Sequence, residues 1–173
     1  MQVKKIAFKN NIPYPHKAPL NALIPQIGMQ VSLPDKNRNY TLFNQNLVKQ
    51  IVEYKEAALP ELQRYLSVVQ EEKQIAEGLY ILDRMIDNGV SGVDKFYPVI
   101  CRFDRTNSPT IQVLLSGIYR KINVPDAFGP LMSMLIKNTF QPPNVSFDPN
   151  QEIGGALLEL LKNTASEQVY KTK

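Results

Sequence analysis

Ala58-Leu59-Pro60-Glu61-Leu62-Gln63-Arg64-Tyr65-Leu66 is a segment that recurs. It returns as Phe96-Tyr97-Pro98-Val99-Ile100-Cys101-Arg102-Phe103-Asp104 and as Phe128-Gly129-Pro130-Leu131-Met132-Ser133-Met134-Leu135-Ile136. The three prolines are 38 and then 32 residues apart, with apolar residues two positions before and two after each. A second apolar run follows each segment. Ile75, Leu79 and Leu82 in the first match Ile111, Leu115 and Ile118 in the second and Ile153, Leu157 and Leu160 in the third. Spacings of four and three put each trio on one face of a helix. A period of this size is the mark of stacked helical hairpins, none of which can bury its apolar face alone.

Punctuation around the runs agrees. Asn44 or Asn46 opens helical patterning through Leu47, Ile51, Tyr54 and Ala58, and Pro60 is expected to end or kink that helix. Asn88-Gly89 is a helix stop, and Asp94 is placed to cap the helix carrying Phe96 and Val99. Ser108-Pro109 supplies a cap and a proline at the first helical position. Asn123 is read as the cap of the helix through Phe128 and Leu131, and Asp148-Pro149 as the start of the last.

Residues 1–43 read differently. They hold many of the prolines, including Pro13, Pro15, Pro19, Pro25 and Pro34, which exclude a long helix. Short islands such as Val3/Ile6/Phe8, Leu20/Leu23/Ile24 and Ile27/Met29/Val31/Leu33 suggest a basic, largely irregular arm with a few residues docked on the body. The expected organisation is an arm over 1–43, a helical-repeat domain over 44–163 and a frayed tail over 164–173. The fold class is all-α, a short α-solenoid of about three hairpins.

The formal charge of +4 belongs to the arm. Residues 1–40 carry six Lys or Arg against Asp35 alone, so the remainder is one charge negative. A near-neutral body is a poor footprint for a dedicated duplex-DNA binder. No apolar run reaches the ~18–20 residues of a membrane span, and no signal-peptide core is evident, so a cytoplasmic protein is the expectation. The lone Cys101 excludes an intramolecular disulfide and reads as a packed residue.

Taken together, the aligned segments resemble the HEAT-like, armadillo-type family of α-solenoids, over roughly residues 46–163. The resemblance implies a proline-bent outer helix paired with an inner helix that lines a concave side. Asp104 fits the aspartate that such repeats often carry in the intra-repeat turn. Gln112 stands near the position where they carry an arginine.

Residues for catalysis are few. His16 lies in the arm and has no scaffold to bring it to Cys101, as a nucleophile and base require. One His and one Cys do not complete a structural zinc site, and the glycines match no phosphate-binding fingerprint. Asp83 and Asp87, at i and i+4, read as a solvated helix face. No catalytic residue, metal or cofactor is expected.

The aligned second helices place Arg84, Arg120 and Lys162 at equivalent positions, forming a basic column. All three also fall in a last helical turn, where cations complement the macrodipole. Tyr80 and Tyr119 are read as outer-face neighbours offering amphipathic contacts. The expected function is a non-enzymatic interaction or scaffold module that binds a protein partner through this surface and the arm. The alternative is nucleic-acid binding of the HEAT-like DNA-repair type. The DNA glycosylases of that type use tryptophan at the lesion, and this chain has none. If Leu82 and Ile118 are core, truncating either to alanine should cost about 2–5 kcal/mol. Thermal melts left unchanged by both substitutions would remove the proposed packing.

Overall fold

The computed structural model describes residues 17–35, 38–145 and 147–171, with side chains to residue 166. Described residues form eight α-helices and no named strand. They are α1 (Leu20–Leu23), α2 (Gln45–Val52), α3 (Leu59–Val68), α4 (Glu72–Asp87), α5 (Tyr97–Ile100), α6 (Pro109–Ile122), α7 (Phe128–Phe140) and α8 (Pro149–Lys171). His16 and the Val3/Ile6/Phe8 island lie outside the described residues.

Several capping expectations hold. The Asn44 side chain accepts from the Leu47 amide at 3.1 Å, and Ser108 accepts from the Ile111 amide at 3.4 Å. Asn88-Gly89 ends α4, with Gly89 at φ +69°. Others are corrected. Gly92, at φ +84°, precedes the short 3-10 turn that contains Asp94, so Asp94 is not its cap. Asn123 adopts a left-handed conformation as the end of α6 rather than the start of α7. The α8 backbone is helical to Lys171.

The prolines neither end nor bend a helix midway. A 3-10 turn, Lys55–Ala58, Val93–Phe96 or Pro125–Ala127, runs directly into α3, α5 or α7, and each proline sits in the first turn after it. A missing N–H costs little there, whereas deeper in a helix the ring would clash with the carbonyl four residues back. Lys55, at φ +50°, breaks the stripe begun in α2.

α6 lies against α4 on one side and α8 on the other, while α2 packs on α4 and α7 on α8. Leu79, Leu82, Leu115, Ile118, Ile153 and Leu160 are buried along these contacts. Gly78 lets α4 approach α3, since a Cβ there would come within 2.8 Å of Leu66. Arg102 reaches back 33 to 36 residues to the α3 terminus, donating to the carbonyls of Ser67, Leu66 and Val69.

The described part of the arm belongs to the core. Leu23, Ile24, Ile27 and Val31 are buried. A fully buried carboxylate, Glu77, accepts from the Gly28 amide at 2.6 Å and the Asn44 amide at 2.8 Å. One side chain of α4 thus fastens both ends of the segment 28–44. Between them, Ser32 pairs with Leu42 and Asp35 with Arg38 in isolated antiparallel bridges. Gly28 is required there, because its φ is +86° and a Cβ would lie 2.8 Å from the Gln74 Cα. Glu77→Ala should strand both amides at a cost of about 1–3 kcal/mol each. Gly28→Ala should release the arm by collision with α4. Hydrogen exchange at residues 28 and 44 reads both effects, and amides as protected as in wild type would refute the clamp.

Candidate functional site

The fastened arm builds one wall of an open cavity of about 280 Å³. Tyr40 and Phe43 come from the arm, Tyr80 from α4, Val113 and Leu114 from α6, and Phe147 from the turn before α8. The Phe43 and Tyr80 rings stack at 4.2 Å with 9° between their planes. Tyr80 donates to the Gln45 side chain at 3.4 Å, and the Arg84 guanidinium stands 5.3 Å from its ring centre. A hydrogen bond of 3.0 Å between the Thr41 and Thr110 hydroxyls ties arm to α6 at the same wall. The arrangement offers aromatic and aliphatic surface to a guest, with polar groups at its edge, as binding pockets commonly do.

Beyond the cavity the α4–α6–α8 face is charged but internally balanced. Arg84 pairs with Asp83 and Asp87, each at 2.6 Å. Lys121 reaches the other oxygens of the same two carboxylates at 2.6 and 2.7 Å. Arg120 pairs with Glu152 of α8 at 2.8 Å. Asp83 is therefore a buried, doubly paired anion, not the solvated one its spacing suggests. Burying it without cations would be costly, and Lys121 and Arg84 offset that penalty across the α4–α6 contact.

The five residues singled out in the sequence do not form one surface. Tyr80 lines the cavity, and Arg84 adjoins it through the ring of Tyr80. Arg120 belongs to the α6–α8 bridge. Lys162, with a side chain 72% exposed, stands farther along α8 and pairs with Glu159 at 3.7 Å. Tyr119 is a correction: it has 0% exposure, so it is not an outer-face contact. Its hydroxyl donates to Asp104 at 2.6 Å, and its ring meets Tyr97 edge-on at 5.6 Å. Burial pushes the Tyr119 hydroxyl's pKa well up, and bonding to Asp104 adds to this.

Asp104 lies in the turn before α6 and takes a tyrosine partner from that helix. Gln112 instead exchanges amide hydrogen bonds with Asn138 of α7, both side chains being buried. Cys101 is half-buried and donates weakly to the Pro98 carbonyl at 3.5 Å. Among the described residues no three His, Cys, Asp or Glu side chains cluster to hold a metal ion, and no helix is long and apolar enough to cross a membrane.

Phe43, Phe147, Lys121 and Glu77 line or support this face and were not singled out in the sequence. Lys121 adjoins Arg120 and was legible as a last-turn cation. Phe43 and Phe147 lie in irregular segments, and Glu77 shares its flank of α4 with Lys73, Gln74 and Arg84, so no local pattern marks them. No protein-family model matches the chain, and no curated protein or solved structure matches it.

Burial raises the Asp104 carboxyl above its ordinary value, and the bond from Tyr119 lowers it less. The folded chain thus holds this proton more tightly than the unfolded chain. The group's contribution to stability must fall as pH rises through the acid range above the ordinary aspartate pKa. Asp104→Asn keeps an acceptor for Tyr119 and removes the ionisation, so the variant should gain on wild type between about pH 4 and about pH 7. Denaturant titrations at both pH values test this, and a stability difference independent of pH would contradict it.

Proposed function

We propose that this protein is a non-enzymatic interaction module. In this reading, HEAT-like hairpins stacked as a short solenoid present the α4–α6 face, together with the arm, to a segment of a protein partner. The observation that carries it is the cavity between Tyr40, Phe43, Tyr80, Val113, Leu114 and Phe147. Large aromatic and aliphatic side chains at a solvent-open site supply contact area without the conformational cost of long polar chains.

The repeat reading draws support from the recurring 3-10-to-α junction at each proline and from the side-by-side contacts of α4, α6 and α8. Bonds that span about one repeat, such as the Ser91 amide to Glu56 at 3.0 Å, fit the same register. Pairing of Arg84 and Lys121 with Asp83 and Asp87, and of Arg120 with Glu152, favours a protein partner over a phosphate backbone.

Panning a displayed peptide library against the full chain, with counter-selection on Leu114→Glu, tests the reading. Enriched peptides should share a large apolar residue and lose at least tenfold in affinity to Tyr80→Ala, an effect of about 1.4 kcal/mol. Peptides indifferent to both substitutions would argue against the cavity. Micromolar duplex-DNA binding with a steep salt slope would favour the nucleic-acid reading instead.

A further inference from the structure

Gly117 sits inside α6, where glycine weakens a helix relative to alanine, and its neighbours do not require it. A Cβ added at Gly28 would lie 2.8 Å from the Gln74 Cα, and one at Gly78 would lie 2.8 Å from Leu66. At Gly117 the nearest atoms among the described residues are Asp83 Oδ1 and Glu152 Oε1, each at an uncrowded 3.9 Å. Gly129 and Gly154 are open as well, but nothing borders them within 4 Å. Gly117 alone of these three is a notch flanked by two acceptors.

The notch is continuous with the cavity. Asp83 lines both, and Val113 and Leu114 stand one turn before Gly117 on the same flank of α6. Gly117 itself is half-buried.

Chemistry at the notch is that of an acceptor without net charge. Each oxygen already takes one donor, Lys121 on Asp83 at 2.6 Å and Arg120 on Glu152 at 2.8 Å, and a carboxylate oxygen accepts a second. Arg84, Lys121 and Arg120 match Asp83, Asp87 and Glu152, so a further cation gains no net field. A neutral N–H does gain an acceptor, at the close approach that the missing side chain allows. Main chain carries such a group at every residue except proline. Beyond the first turn of a helix these groups are bonded internally, so only an extended segment can offer them.

On the reading of the cavity as a partner site, on which this rests, we infer that the partner segment lies extended across α6 at Gly117. It donates a main-chain N–H to Asp83 or Glu152 while a neighbouring side chain fills the cavity. Gly117 is thereby a determinant of specificity, selecting an extended partner over a helical one.

The test uses the full chain and peptides whose binding depends on Tyr80. Gly117→Ala should leave the thermal midpoint equal or higher and weaken these peptides roughly tenfold. Replacing single peptide amides by esters removes one N–H at a time. One replacement within two residues of the apolar anchor should weaken binding severalfold to wild type and cost nothing further on Gly117→Ala. Tyr80-dependent peptides that bind Gly117→Ala as tightly as wild type, or that tolerate every ester, would overturn the inference and leave the cavity reading standing. A lowered midpoint for Gly117→Ala would overturn it too, by giving the glycine a packing role. Failure to obtain any Tyr80-dependent peptide would overturn both.

Discussion

The described helices are arranged around α6, which has α4 on one flank and α8 on the other. Its buried residues Ile111, Leu115 and Ile118 pack within a layer in which α4 offers Leu79 and Leu82, and α8 offers Ile153 and Leu160. None of these helices could bury such a face in isolation, so their stability is collective. The polar links between them follow from the same geometry. Once the apolar ridges are seated, Lys121 and Arg120 emerge beside carboxylates of α4 and α8 and close the seams with ion pairs. Gln112 and Asn138 satisfy one another where α6 meets α7, in a place where unpaired amides would be expensive.

Against that layer the arm is held by a different kind of force. Glu77 is a charged group placed where charges are rarely found, and it is kept there by two backbone amides. Because those amides belong to residues 28 and 44, the bonds fix a closed segment rather than a single point. The consequence reaches the cavity directly, since Tyr40 and Phe43 are carried on that segment and Phe43 stacks on Tyr80. A cavity walled by an irregular segment and two helices thus depends on one buried carboxylate.

The apolar spacing of three and four in each second helix determined the helices and their buried stripes, because amphipathic periodicity is a local property. The cap at Ser108 was legible for the same reason, as a hydrogen bond between near neighbours, whereas Asn44 was one of two candidates with Asn46. Asn123 was misread because asparagine serves both at helix starts and in left-handed helix ends, and only the path of the following residues separates the two. Of the site, Tyr80 and Arg84 were legible from the aligned apolar runs.

Tertiary structure alone decided the rest. Tyr119 and Tyr80 look alike in the sequence, yet one is buried on Asp104 and the other opens into a cavity. Helix phase does not say which flank a neighbour will occupy. Glu77, Phe43 and Phe147 acquire meaning only when segments tens of residues apart are brought together. Sequence by itself determined which faces must avoid water, since that follows from residue type and helical period. What meets each face, and which polar groups are paired as a result, is settled by long-range packing, where the cost of burying an unpartnered group selects the arrangement.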